Sequence, residues 1–396
     1  MQIANQKRLS VLVGALLAGV SLLACVAMSP AWAADLLETS ENQVTFDTNG
    51  HSTPMIGQDT VGSYIVYSQY PVVNGQVGNA SIFYQRVTSA GAPTGAPTVV
   101  ADSPENQWLP STSAGNITYT LSPSIGSLGN IVLYSISDGQ SRNLTSLGDN
   151  WSPRMHGDVV TWIEVLPDGS GQVVAYQISS GVPVQTAVMG GPIPSATQVT
   201  VGDRFIVWTQ LINGQYDLAA YDMQKGASFV VANNSTLNET TPATEGAWIV
   251  FEQASSTSTA IMAINEDTGE LRKVADNGAN NLRPNISGDL ISYESNFLGN
   301  SQIFVYRLDK GDTFRVTDNE ENERLNDLSC DVVTSCLVTY IDNRNGNDGV
   351  FDASLTFIPT ETATPLPAAL PLFATGLGGL GLLSWRRKRK AQAAVA

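Results

Sequence analysis

Two histidines, His51 and His156, and three cysteines are the chain's whole supply of the side chains most often used as base, thiol nucleophile or soft metal ligand. The histidines are far apart, each in a polar stretch entering an aromatic strand, and each reads as a loop residue rather than a catalyst. A metal-dependent lyase would need several clustered histidines and carboxylates, which two separated histidines do not supply. No G-x-S-x-G occurs, so the serine-hydrolase elbow is missing. In DNRNGNDG, residues 342–349, the side-chain oxygens of Asp342, Asn345 and Asp348 form a weak calcium candidate. No bidentate glutamate follows at the needed place, and the same residues suit a tight β-turn. No cofactor is expected. The run DNEENERLND, residues 318–327, reads as a solvated face, with a basic partner as the sharper alternative.

The N-terminus sets the compartment in which this chemistry is read. Lys7 and Arg8 precede the apolar run LSVLVGALLAGVSLLACVAM, and Ala31-Trp32-Ala33 is a small-x-small triplet. Residues 1–33 therefore read as a secretory signal peptide cut between Ala33 and Ala34. LLAC, ending at Cys25, is a loose rival as a lipidation box, with bulky Leu23 against it. Export places Cys330 and Cys336 in an oxidising space, where they bracket CDVVTSC between two short strands. A disulfide is expected there, with two buried free thiols as the alternative.

Lys and Arg number 20 against 36 Asp and Glu, and charged residues make up only 14% of the chain. Seven of the bases lie at the two ends, leaving 13 in residues 34–364. A body that acidic repels phosphate backbones, which argues against nucleic acid as a partner.

The elements that must position any site come from a repeat. A Gly or Gly-Asp recurs before a short apolar strand that ends in an aromatic residue: Tyr67, Tyr119, Trp162, Trp208, Phe251, Tyr293 and Tyr340. Their separations are 52, 43, 46, 43, 42 and 47 residues. Each is followed by a second apolar strand such as SIFYQRV, IVLYSIS or LAAYDMQ, then by a third such as TVVAD, FVVAN or FRVTD. A loop then leads to Pro110, Pro153, Pro242 or Pro284 and the next copy. A period near 45 residues with about four strands per copy predicts an all-β propeller. Seven four-stranded blades are expected over residues 34–358, with two smaller β-sandwiches as the alternative. The seventh copy lacks its last strand. The N-terminal segment ENQVTFDTNGHSTP supplies one, so QVTF is expected to complete the final blade and close the ring.

These copies resemble the propeller repeats of the Tol-type translocation protein and of secreted bacterial and archaeal surface proteins. GDRFIVW and IDNRNGNDG are the segments that carry the likeness. It implies the fold and is weak for function, since propellers host enzymes, binders and scaffolds alike.

The chain's last part carries a separate signal. From Ala368 to Trp385 run 18 uncharged, mostly apolar residues, and Arg386, Arg387, Lys388, Arg389 and Lys390 follow at once. That length and flank predict a transmembrane helix from Ala368 to Trp385 in a tail over 368–396 with a basic cytoplasmic end, preceded by a linker and sorting box over 359–367. TPLPAALPLFATGLGGLGLLSWRRKRK resembles the VPLPA variant of the PEP-CTERM sorting signal. The resemblance rests on Thr364, Pro365, Leu366, Pro367 and Ala368, the glycine-rich span and the basic cluster, with Thr364 in place of the usual valine. It implies an exosortase-type processing enzyme as partner, a transient inner-membrane intermediate, and delivery to the surface or exterior of a Gram-negative cell. It also implies a link to exopolysaccharide and biofilm. The expected function is thus non-enzymatic binding of a macromolecule or glycan; the alternative is a lyase or hydrolase using carboxylates in the propeller funnel.

Overall fold

The structure is a computed structural model that describes residues 36–192, 198–231, 236–332 and 335–358. The signal peptide with Ala33 and Ala34, the linker, the sorting box from Thr364 to Ala368 and the tail through Lys390 lie outside the described residues. No helix among the described residues is long and apolar enough to cross a membrane.

Residues 36–358 fold as a seven-bladed propeller of four-stranded antiparallel sheets. Its innermost strands, in chain order, are Gly50–Gln58, Asn106–Ser113, Asn150–His156, Val199–Val201, Asn238–Glu245, Asn281–Ser287 and Arg324–Val332. In every blade the recurring aromatic lies on the second strand, and all seven are buried. Tyr64, Ile65, Val66 and Tyr67 are consecutive and all buried, so this strand is covered on both faces. A sheet with two apolar faces needs a neighbour on each side, which is why the apolar residues run on instead of alternating. Seven apolar clusters result, one between each pair of adjacent blades.

The last of these junctions closes the ring. Ile56, Ile65 and Tyr67 of the first blade pack with Leu337, Ile341 and Val350 of the seventh. The outermost strand of that blade is N-terminal: Leu36–Gln43 runs antiparallel to Gly349–Ile358, from Leu36 opposite Ile358 to Gln43 opposite Phe351. The closing strand therefore precedes the QVTF expected from the sequence and shares only Gln43 with it. Beyond its end, the Val44 N–H still donates to the Val350 carbonyl at 2.8 Å, and Val44 and Thr45 are buried. Glu38 to Glu41 are exposed, because an outermost strand needs few apolar residues.

A buried carboxylate marks the seam. Asp352, opposite Asn42 in the ladder, accepts a 3.0 Å hydrogen bond from Asn42 Nδ2. Gly91 of the first blade lies so close that a Cβ there would fall 1.8 Å from Asp352 Oδ1, and its φ of +84° favours glycine as well. Cys330 and Cys336 face each other across the first two strands of the seventh blade and are joined by a disulfide.

Deleting residues 36–43 is expected to lower the melting temperature of the whole propeller by more than about 5 °C in one cooperative transition, because it removes several kcal/mol of edge pairing. Calorimetry checks this, and an unchanged midpoint would show that the strand is an appendage.

Candidate functional site

The innermost strands surround a channel, and their geometry repeats along it. In five blades the strand carries a bulge at Pro54, Pro110, Pro153, Pro242 or Pro284. The residues before these prolines, Thr53, Leu109, Ser152, Thr241 and Arg283, lie in the left-handed region at φ between 50° and 53°. Proline fits because the channel-side edge needs no ladder donor, and it disfavours the right-handed helical region for its predecessor. A bulge re-aims the side chains around it.

Past the bulge, or at the matching place in blades lacking the proline, one residue per blade stands opposite the residue that precedes the buried aromatic. These seven are Met55, Ser111, Arg154, Thr200, Ala243, Asn285 and Asp327. All of them line one cavity of about 1500 Å³ that extends to the turns after the innermost strands. Its size exceeds the roughly 300–1,000 Å³ of small-molecule pockets and suits an extended ligand.

The strands offer few free donors to such a ligand, because side chains of neighbouring blades already take them. The Met155 N–H donates to Ser111 Oγ at 3.1 Å and the Gly157 N–H to Ser113 Oγ at 2.9 Å. Arg283 N–H donates to Glu252 at 2.7 Å, Leu325 N–H to Glu294 at 3.1 Å and Ile56 N–H to Asp327 at 2.8 Å.

Four of the body's 13 bases line the cavity, Arg86, Arg154, Arg283 and Arg324, against only three acids, Asp59, Glu245 and Asp327. That balance reverses the strongly acidic composition of the body. Arg86 forms a two-pronged pair with Asp59 at 2.6 and 2.8 Å, and this hydrogen bonding holds the Asp59 carboxyl below its usual range. Arg283 is paired with Glu294 at 2.7 Å, and Arg324 lies 4.0 Å from Asp348. Half-buried Arg154 makes no ion pair among the described residues and donates only to the Pro153 carbonyl, at 3.0 Å. Burial lowers its pKa, and the charge of Asp327 opposes that shift. Burial pushes the Asp327 carboxyl up to about 7, against the hydrogen bond from Ile56.

The residues singled out from sequence fall elsewhere. Asp342, Asn345 and Asp348 border or lie in the turn after the second strand of the seventh blade, and none of them lines the cavity. Asp342 is held by Arg344, which also pairs with Glu41 at 3.0 Å, while the Asp348 carboxylate accepts from Tyr70 at 3.3 Å. A tight turn is present, with the Gly346 N–H donating to the Asn343 carbonyl at 2.8 Å. No group of three or more metal-ligating His, Cys, Asp or Glu side chains occurs among the described residues. His51 and His156 are strand residues, not the loop residues expected. His51 is buried at the closing seam with Nδ1 2.9 Å from the Asp348 carbonyl oxygen, and His156 is exposed at the cavity. Sequence reading missed Arg154, for which the signal was the residue just after a recurring proline; of the run 318–327, read as a solvated face, Glu323 is buried and Asp327 lines the cavity.

Neither a family model nor a curated protein matches the sequence. Among solved structures the chain is similar to the β-propeller domain of the trilobed protease from Pyrococcus furiosus, described as having an open velcro topology. The two share 11% identity at a TM-score of 0.58, over 82% of this chain and 99% of that one. Acylaminoacyl peptidase from Pyrococcus horikoshii matches at 9% identity and a TM-score of 0.54, over 74% of this chain and 49% of that one. The chain thus spans about half the length of that peptidase. TolB from Acinetobacter baumannii gives 14% identity and a TM-score of 0.43, over 67% of this chain and 79% of that one. At these identities the likeness to the first two shows the propeller fold alone.

Three carboxylates of the closing blade share a raised pKa. Burial pushes Glu323, Asp327 and Asp352 each up to about 7. An acid raised by folding adds stability that is whole below its ordinary range near 4 and is lost as pH climbs to about 7. The melting temperature is expected to fall by several degrees between about pH 4.5 and pH 8, and Asp352→Asn is expected to flatten that slope. Thermal melts across pH check it; a midpoint rising through this window would contradict it.

Proposed function

We propose that this is an exported surface or matrix protein, sorted through its PEP-CTERM-like tail, whose propeller binds a glycan in its channel. The observation that carries the binding reading is the ring of seven side chains, one per blade, on a cavity lined by Ser, Thr, Asn and Arg. Such a wall offers hydroxyl, amide and guanidinium groups to a polyhydroxylated ligand. The tail reading rests on Pro365-Leu366-Pro367-Ala368, the glycine-rich apolar span and the basic cluster. A bilayer reads only hydrophobicity and charge, so the proline box has a purpose only if an enzyme reads it.

The second reading, a glycan-active enzyme, is favoured by one observation: Asp327 has a carboxyl pushed up to about 7 inside the cavity, where a general acid or base would work. Against it, the other cavity acids are less suited. Asp59 is engaged by Arg86, and Glu245 belongs to a different blade from Asp327.

Replacing both Pro365 and Pro367 by alanine is expected to leave membrane insertion intact but to block release, so the longer form carrying Arg386 to Lys390 accumulates at the inner membrane. Fractionation and C-terminal mass spectrometry in the native host check this. Normal processing of that variant would reduce the tail to a plain anchor. Oligosaccharides incubated with the protein are expected to stay intact; new reducing ends that vanish with Asp327→Asn would establish the enzyme instead.

A further inference from the structure

We infer that the channel selects acidic sugars, with the Arg154 guanidinium taking the carboxylate of a uronate unit and Asp327 accepting hydrogen bonds from its hydroxyls. This rests on the reading of the channel as a glycan site and names the class of glycan. Three observations carry it.

The first is position. Arg154 and Asp327 occupy the same place in the third and seventh blades, so they stand on different sectors of one ring, near enough for the charge of Asp327 to act on Arg154. The other five members of the ring, Met55, Ser111, Thr200, Ala243 and Asn285, are uncharged and mostly small. One cation and one anion therefore face a shared space without forming a pair.

The second is the state of Arg154. Arginines 86 and 283 on the cavity wall have carboxylate partners within 3 Å, whereas Arg154 has none among the described residues. A half-buried guanidinium without a contacting counter-ion carries a desolvation cost that the Asp327 charge offsets only in part, and a ligand carboxylate in two-pronged geometry relieves the rest. An all-neutral sugar leaves that cost in place.

The third is the wall itself. A polypeptide entering the channel would add as a strand to the open edges of the innermost strands. Those edges are interrupted by five prolines, and many of their N–H groups are already taken by neighbouring side chains. Recognition is left to side chains, and Ser, Thr and Asn around one arginine match a ligand with many hydroxyls and a carboxylate.

Titration calorimetry of the full-length protein in detergent tests this with three probes: an oligoglucuronate, an oligoglucose of equal length, and a short peptide with a free C-terminal carboxylate. The oligoglucuronate is expected to bind at least about tenfold more tightly than the oligoglucose, as a hydrogen bond to a charged group allows. Arg154→Gln is expected to erase that ratio. Arg154→Lys is expected to keep part of it, since lysine holds the charge without the fork. Asp327→Asn is expected to weaken both sugars alike. If Arg154→Gln does not fold, the Lys variant and the wild-type ratio decide the matter. Equal affinity for acidic and neutral sugars overturns this inference and leaves the glycan reading standing. Binding of the peptide alone, or of no probe, overturns both.

Discussion

An isolated sheet that is apolar on both faces cannot hide itself from water, and that constraint governs this protein. Each blade depends on two neighbours, so the arrangement is stable only as a ring, and a ring built from one chain must be fastened where its ends meet. Here the fastening is the pairing of Leu36–Gln43 with Gly349–Ile358, backed by Val44, Ile56, Tyr67 and Val350 in one apolar cluster. The same seam holds Asp352 against Gly91 and Asn42, and His51 against the Asp348 carbonyl. Polar groups are thereby buried where the chain's first and last parts join.

Closure also creates the site. Once seven sheets stand around an axis, their innermost strands present open edges to a channel that no further strand covers. Prolines, bulges and cross-blade hydrogen bonds occupy those edges, which removes them as templates for added strands. The side chains just past the bulges line the channel and vary from blade to blade. Across the seven equivalent positions they range from Ala243 and Ser111 to Arg154 and Asp327. Variation at a repeat-equivalent position, within a frame that otherwise recurs, is how a symmetric scaffold acquires an asymmetric site.

Much of the frame was legible in the sequence because packing imposes it copy by copy. The spacing of Tyr67, Tyr119, Trp162, Trp208, Phe251, Tyr293 and Tyr340 gave the blade count, and each of these residues is buried as a covered strand requires. The closing strand was misplaced for a physical reason. An outermost strand is exposed, so LLETSENQ carries little apolar pattern, whereas QVTF, whose Val44 enters the core after the strand ends, reads more like one. The cavity was not legible at all. Arg154, after a recurring proline, and Asp327, at the end of a charged run, lie 173 residues apart, and only the ring brings them to one level. Of the weak calcium candidates Asp342, Asn345 and Asp348, the first is held by Arg344 in the folded chain.

The central claim is that ligands enter the channel formed by the innermost strands. Hydroxyl-radical footprinting of the full-length protein, with and without exopolysaccharide from the native host, tests it most directly. Half-buried Met55 and exposed His156 line the cavity and report on it, while Phe46, Leu147 and Phe297 are exposed elsewhere and serve as references. The polysaccharide is expected to protect Met55 and His156 from oxidation and to leave the reference residues unchanged. Protection of Phe46, Leu147 and Phe297, with Met55 and His156 oxidised as before, would contradict it.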